Sequence, residues 1–392
     1  MRWTATILTL LVAAAPAAAQ GTRAGAIEEQ QQQKAQSLQP NVTSGAESFF
    51  MRFVDNPIRA GWFVASGGLP PGGGLSLGPG YRWWVGDRSS LDVVAVGSLK
   101  RYWRVEGLYS TQGLLRNHLD LEARVGTRVG PSIFYWGTGN DSSADARASF
   151  YGRQDGADLF AHVRTVPFLF VGANAGVEDW TTSGGRGNVR SVENVFDPVT
   201  APGLGADPRY VRTGGYAALD SRPSAAYSAT GTLLRADFNR YRDSRGLPVD
   251  FDRLDLEAVQ YVPILHANWV LAFRGLASTT TTAADHVVPY FMMPHLGSGS
   301  TLRSFSSFRF RDRNRLLLTG EFRWRPNEFM DMALFYDAGK VAPTRGQLDL
   351  ENLQRSYGIG VRFHSKWANL LRIELANGRE GLNLVFSTGG PF

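Results

Sequence analysis

The chain has 392 residues, of which 44 are glycine, 12% are aromatic and none is cysteine. Without cysteine it can form no disulfide and has no acceptor for lipid attachment. The formal net charge of +6 is small for this length and is spread along the sequence, so no basic tract predicts nucleic-acid binding.

Residues 1–19 have the pattern of a secretory signal peptide. Arg2 provides the charged start, Ile7 to Ala15 form the apolar centre, and three small residues, Ala17 to Ala19, resemble a cleavage site. The apolar centre is too short to cross a bilayer as a helix, and no other unbroken apolar run reaches about 18 residues. The exported chain is therefore either soluble or a membrane β-barrel.

Residues 20–60 are polar and include the run Gln30 to Gln33. Such a composition predicts a mostly disordered periplasmic lead-in, too short for a folded module. We expect residues 61–392 to form one transmembrane β-barrel domain.

From about Leu75 onward the sequence alternates between polar and apolar residues in runs of roughly ten, as transmembrane barrel strands do. The runs His118–Val125, Arg253–Ala258 and Arg372–Leu375 are examples. A soluble β-sandwich would alternate as well. The polar positions, however, carry charges of both signs, which a water-filled lumen tolerates, and tryptophan and tyrosine cluster near the run ends, as in interfacial girdles. The pattern favours an all-β fold, a transmembrane antiparallel β-barrel in the bacterial cell outer membrane.

The runs predict about 16 strands. They lie near residues 75–85, 88–98, 101–111, 117–128, 145–154, 157–165, 167–178, 210–220, 225–241, 249–261, 264–277, 314–325, 329–339, 355–365, 368–377 and 381–388. With a periplasmic N-terminus, short connections are periplasmic, and the long ones near 179–209, 278–313 and 340–354 are on the outer side. In this scheme the long connection near 129–144 falls on the periplasmic side, against the rule. We expect Phe392 on the apolar face, in register with Leu382, Leu384 and Phe386.

The stretch between Phe291 and Gly339 combines a loop cation with two strand carboxylates. Arg303 follows a Gly/Ser-rich loop, and Glu321 and Asp337 lie on two strand-like runs joined by a tight turn. If these runs are antiparallel neighbours, alternation places both carboxylates on the lumen side. A guanidinium can bridge two carboxylates through its fork of donors. We therefore predict a latch, meaning that a long outer loop folds into the lumen and Arg303 binds Glu321 or Asp337, with Phe305 packed close by. An ordinary ion network that only pins the loop fits the same residues.

The order of these residues resembles the BamA/TamA family of outer-membrane barrels, the bacterial surface antigen superfamily. In that family a loop arginine in a Val-Arg-Gly-Phe/Tyr setting meets a glutamate and the aspartate of a Phe-x-Asp-x-Gly motif. The matching positions here are Arg303, Phe305, Glu321, Phe335, Asp337 and Gly339. The stretches Phe134–Asn140 and Ser356–Arg362 continue the resemblance. Leu302 and Ser304 depart from the motif, in place of its valine and its glycine. Serine disfavours a positive φ, so we expect a different loop path if the glycine of the family adopts one.

The resemblance implies a role in moving or inserting polypeptide or lipid at the outer membrane. Members of the family usually carry periplasmic POTRA modules before the barrel, and the short lead-in predicts none here. A separate periplasmic protein that supplies substrate is then an expected partner, together with outer-membrane lipid, and we expect a monomeric barrel. The alternative is a passive or structural barrel that is plugged by its own loop and has no assembly activity.

Enzymatic chemistry is a third and weaker reading. The six histidines show no close metal-ligand spacing, so we expect no metal site, and no phosphate-binding glycine loop or nucleophile elbow predicts a cofactor or a hydrolase. His118, Asp120 and Glu122 form the one cluster on a predicted lumen face that could suggest catalysis. A hydrogen-bonded lumen network explains this cluster equally well, and we predict that the chain is not an enzyme.

Overall fold

The computed structural model describes residues 60–224, 228–264, 268–326, 329–364, 369–387 and 392. The predicted signal peptide and almost all of the predicted lead-in lie outside these residues. Among the described residues, no helix is long and apolar enough to cross a membrane.

Sixteen antiparallel strands form one continuous sheet, and two further short strands form a separate hairpin. The sheet strands are β1 (Gly61–Ser66), β2 (Ser76–Val85), β3 (Ser89–Ser98), β4 (Trp103–Gly113), β5 (Leu119–Tyr135), β6 (Ala148–Val166), β7 (Leu169–Gly184), β8 (Arg209–Asp220), β9 (Gly231–Asp243), β10 (Phe251–Ile264), β11 (Trp269–Thr281), β14 (Asn314–Trp324), β15 (Met330–Ala342), β16 (Gln354–His364), β17 (Asn369–Gly378) and β18 (Gly381–Ser387). Each strand pairs with its sequence neighbours, and no ladder joins β1 to β18 among the described residues. The predicted all-β barrel fold is confirmed.

The predicted number of strands is right, but two errors cancel in it. The strand β1 was not predicted, because its six residues are shorter than the ten-residue pattern. The strand β6 was predicted as two strands, 145–154 and 157–165, although it is continuous over 19 residues. The dipeptide Asp155-Gly156 resembles a turn signal, yet both residues pair within the β5–β6 and β6–β7 ladders and neither has a positive φ.

The corrected strand order removes the anomalous connection near residues 129–144. With β1 included, the β5–β6 connection (residues 136–147) falls at the same end of the barrel as the long connections 185–208, 282–313 and 343–353. We call this the loop end and the opposite one the turn end. We call the connection 282–313, which contains the hairpin of β12 (His295–Leu296) and β13 (Phe310–Arg311), L6, because it is the sixth connection at the loop end.

Side chains alternate between lipid and lumen along each strand, as the sequence predicts. Leu121 and Leu256 are exposed on the outer surface, and Ile373 lines an outer apolar groove. Glu374, the neighbour of Ile373 in sequence, is buried on the lumen side. The lumen therefore collects charged residues, whereas the outer surface is apolar.

Strands β5, β6 and β7 have 17, 19 and 16 residues. A strand needs only about 9–11 residues to cross a bilayer, so these three project beyond the membrane. Their loop-end halves contribute to an apolar cluster that includes Tyr135, Phe150 and the L6 residues Tyr290 and Phe291. This cluster, which we call the cap, lies at the loop end of the barrel.

The predicted position of Phe392 is wrong. Its ring stacks on Tyr261, an inward-facing residue of β10, with 6.1 Å between ring centroids, and the Tyr261 hydroxyl donates to its carbonyl at 3.1 Å. The ring also lies near the guanidinium groups of Arg274 and Arg323. Phe392 therefore packs in the lumen, against the apolar cluster that contains Val259 and beside two arginine side chains, and does not face the lipid.

Candidate functional site

L6 folds into the lumen and is packed there by its own apolar residues. Phe305 is 1% exposed, and its ring centroid lies 5.1 Å from that of Phe310. Both belong to a cluster that includes Leu296 and Leu302 of L6 and Leu317 of β14. Burial of these side chains, at about 1.5–3 kcal/mol for each large one, favours the inserted position of the loop.

Gly339, on the inward face of β15, gives L6 the space for this approach. A Cβ atom at this position would lie 2.7 Å from the carbonyl oxygen of Leu316 and 3.0 Å from a methyl carbon of Leu296. The glycine therefore lets L6 lie directly against the β14–β15 ladder.

Arg303 binds both carboxylates with which the sequence associated it. Its Nε and Nη2 donate to the two oxygens of Asp337 at 2.8 and 2.7 Å, and its Nη1 donates to Glu321 at 2.7 Å. The guanidinium carbon lies 3.6 Å from the ring centroid of Phe335, on the same strand as Asp337. The bidentate pair with Asp337 and the aromatic face fix the orientation of the arginine.

The ion network is larger than the sequence predicted, because Glu374, Arg323, Arg362 and Arg372 also take part. Arg362 donates two hydrogen bonds to Glu321, at 2.9 and 2.8 Å, and one to Glu374 at 2.8 Å. Arg323 donates to Glu321 at 2.8 Å, and Nη1 of Arg303 reaches Glu374 at 3.1 Å. Glu321 therefore has three cationic partners.

Seven charged side chains on four strands and L6 thus form one buried network: Arg303, Arg323, Arg362, Arg372, Glu321, Asp337 and Glu374. Each is 4% exposed or less. Four cations face three anions, and Asp331, buried and directly opposite Arg362 in the β15–β16 ladder, supplies a fourth carboxylate nearby. Charges buried to this degree are stable only when they are paired and hydrogen-bonded.

Ser304 occupies the position of the glycine in the family motif, and its φ is not positive. Its backbone N–H donates to the Ser356 hydroxyl at 2.8 Å. A Cβ at Gly378 would lie 2.2 Å from the Ser304 hydroxyl oxygen, so this glycine makes room for the serine.

Further hydrogen bonds attach the tip of L6 to strands on both sides of the network. Arg274 of β11 donates to the Ser300 carbonyl at 3.0 Å, and Arg372 of β17 donates to the Gly299 carbonyl at 2.6 Å. Asn383 of β18 donates to the carbonyl of Arg303 at 2.7 Å. L6 is thereby tied to the last strand of the sheet as well as to the strands that carry the carboxylates.

A cavity of about 540 Å³ lies beside this attachment. It is bounded by the β1–β2 connection, by the tip of L6 and by the β18 residues Asn383 to Ser387. The cavity therefore separates β18 from the connection that follows β1.

The residues once considered for catalysis have separate partners. His118 Nδ1 bonds the Arg164 carbonyl, Asp120 accepts from the Gly113 N–H, and Glu122 pairs with Arg124. In the described part of the chain, no group of three or more His, Asp or Glu side chains could hold a metal ion.

Comparison with known proteins agrees with the fold. Residues 214–390 match the Omp85 superfamily domain. No curated protein matches the sequence. Among solved structures, BamA from Haemophilus ducreyi lacking POTRA domains 1–3 is similar with a TM-score of 0.61 and 15% identity, over 84% of this chain and 70% of that one.

Two further similar structures are CdiB from Acinetobacter baumannii and CdiB from Escherichia coli. Their TM-scores are 0.51 and 0.55, each at 11% identity over 85% of this chain. The matches span 60% and 63% of those two chains. The predicted resemblance to BamA/TamA-type barrels is confirmed. The chain therefore has the fold of these bacterial outer-membrane β-barrels, and its residues 214–390 match the Omp85 superfamily domain.

Proposed function

We propose that this barrel assists the insertion or translocation of polypeptide at the outer membrane, and that L6, held by Arg303, is the latch that controls the activity. The observation that carries the proposal is the buried network, which binds one loop residue to carboxylates on β14, β15 and β17. A loop that only filled the lumen would need apolar packing alone, and such packing is already present.

The position of the latch supports a controlling role. The same residue that binds the carboxylates accepts a hydrogen bond from Asn383 on β18, which lines the cavity of about 540 Å³. Release of Arg303 would therefore loosen L6 and the last strand together. A separate periplasmic protein would deliver the client polypeptide to the turn end of the barrel.

Reconstitution into lipid vesicles tests the proposal. Purified barrel in vesicles should accelerate the folding of an added, urea-unfolded outer-membrane barrel client above the rate in empty vesicles. Arg303→Ala should change that rate. Lys340→Met should not, because Lys340 pairs with Asp349, a half-exposed residue of the loop end. Client folding at the empty-vesicle rate, with and without a periplasmic extract, would instead support the passive, loop-plugged barrel.

A further inference from the structure

A second cavity, of about 260 Å³, lies under the cap and is lined by none of the charged residues in the buried network around Arg303. Its walls come from the β1–β2 connection, the lumen faces of β5 and β6, the loop-end half of β7, and L6. The volume is near the lower limit of ligand pockets, about 300 Å³. The cavity is therefore large enough for a small organic molecule.

The apolar part of the wall is aromatic. Phe150, Trp180, Phe291 and Phe308 all line the cavity. The indole of Trp180 and the ring of Phe291 are in contact, with centroids 5.2 Å apart. Rings held in this way offer flat, pre-positioned surfaces for an aromatic or short acyl group.

The charged part of the wall is cationic. Arg128 and Arg311 line the cavity, and no acidic residue does so among the described residues. Arg311 is 1% exposed, lies over the Phe308 ring at 4.2 Å, and among the described residues its side chain donates to the backbone carbonyls of Tyr290 at 2.9 Å and Phe134 at 3.4 Å. Within the described chain it forms no ion pair with a carboxylate, and burial lowers its pKa to about 10. A buried cation without a counter-ion favours an anion in the space next to it.

Arg128 provides an accessible donor at the same site. Its side chain is 35% exposed, and its carboxylate partner Glu106 also pairs with Arg104 and lies 3.8 Å from Arg124, which pairs more closely with Glu122. Arg128 and Gln154 also line a polar lumen cavity of about 230 Å³ below. A ligand would therefore enter from the lumen and meet these two side chains first.

We propose that the cavity under the cap binds a small organic anion, a carboxylate or phosphate with an aromatic or short acyl body. Its anionic group lies against Arg128 in the field of Arg311, and its apolar body lies between Trp180, Phe291 and Phe308. The inference does not depend on the proposed insertion activity: the site includes residues of L6, but none of the seven charged residues in the network around Arg303 lines the cavity.

Fluorine NMR on the full chain in nonionic detergent tests this, with 4-fluorobenzoate as the probe. We expect saturable binding of the benzoate that is absent from protein-free micelles. Binding of 4-fluorobenzyl alcohol, which has the same ring and no charge, should be about tenfold weaker or worse, because a charge-assisted hydrogen bond contributes at least this factor. The cation 4-fluorobenzylamine should not bind saturably.

Two variants and one matched control assign the binding to this cavity. Arg128→Gln should weaken benzoate binding about tenfold, by loss of the same kind of bond. Arg124→Gln should change it little, because Arg124 lies on the same strand and also contacts Glu106 but lines only the lower cavity. Arg311→Met should reduce the preference for benzoate over the alcohol, because Arg128 then acts on the anion alone. The Arg128 comparison decides the matter alone if the Arg311 variant does not fold. No saturable binding, equal binding of the alcohol, or equal effects of Arg128→Gln and Arg124→Gln would overturn the proposal.

Discussion

The replacement Arg303→Ala should affect Asp337 far more than Glu321. Without the guanidinium, Glu321 still accepts hydrogen bonds from Arg362 and Arg323 at 2.8–2.9 Å. Asp337 keeps one side-chain donor among the described residues, the Thr319 hydroxyl at 3.0 Å. The sequence predicts that Arg303 binds Glu321 or Asp337, and in the described chain its loss would leave Asp337, but not Glu321, without a cationic partner.

The magnitude follows from burial. Arg303 and Asp337 are 2% and 0% exposed, so removal of one partner leaves a desolvated charge, at a cost of about 3–5 kcal/mol. Arg303→Ala combined with Asp337→Ala should therefore cost less than the sum of the singles, by about 2–3 kcal/mol. In a Glu321→Gln background, Arg303→Ala should cost nearly as much as in the wild type, because Asp337 still loses its cation.

Urea unfolding in lipid vesicles, followed by the heat-modifiable gel shift of folded barrels, measures both cycles. The control Lys340→Met removes a cation from the same strand as Asp337, but its partner is 51% exposed, so we expect a cost of at most about 1 kcal/mol. Strict additivity of Arg303→Ala and Asp337→Ala, or equal coupling to Glu321 and Asp337, would refute this assignment of partners.

Three further outcomes are expected from the same unfolding assay. Gly339→Ala should cost about 1–3 kcal/mol by overpacking against L6, whereas a Cβ at Gly320 would meet no atom closer than 4.0 Å, so Gly320→Ala should be milder. Leu256→Arg places a charge on the lipid face and should cost about 2–4 kcal/mol. Ser110→Arg, which faces the lumen opposite Glu122, should cost much less. Equal costs would show that the register is wrong. In the folded chain, burial and neighbouring arginines hold the pKa of His295 well below its usual value. Below about pH 6.5 this histidine therefore binds a proton more tightly in the unfolded chain than in the folded one. Stability should then fall on acidification by up to about 1.4 kcal/mol per pH unit, and His295→Gln should reduce this dependence.

The sequence predicts the barrel and its register well because both depend on local alternation. A period of two places Leu256 outward and Glu257 inward whichever strands are neighbours, so this assignment needs no long-range information. The pairing of Arg303 with Glu321 and Asp337 follows from the same argument for two adjacent strands.

The rest of the network was missed because it depends on several strands at once. Arg323 has the same parity as Glu321 two residues away and could have been found on that signal. Arg362 and Glu374 come from the two strands after β15, and their approach to Arg303 depends on the depth to which L6 enters the lumen. The spacing of the strands in the sequence gives no information about how deeply L6 enters the lumen.

Element boundaries failed where local signals conflicted with sheet pairing. Asp155-Gly156 has turn chemistry, but antiparallel ladders on both sides keep it extended. The position of Phe392 likewise depends on a contact between residues far apart in the sequence, because its ring stacks on Tyr261 of β10.

We infer that Arg303 holds L6 in the lumen, and disulfide trapping tests this most directly. The chain contains no cysteine, so an engineered pair reports without background. A Cβ at Gly299 in L6 would lie 4.0 Å from that of Val385 in β18, within the range for a disulfide, about 3.5–4.5 Å. Gly299→Cys with Val385→Cys should cross-link rapidly under mild oxidation in outer membranes, and much more slowly when Arg303→Ala is added. Failure to cross-link in the otherwise native chain, or the same rate with and without Arg303, would contradict the latch.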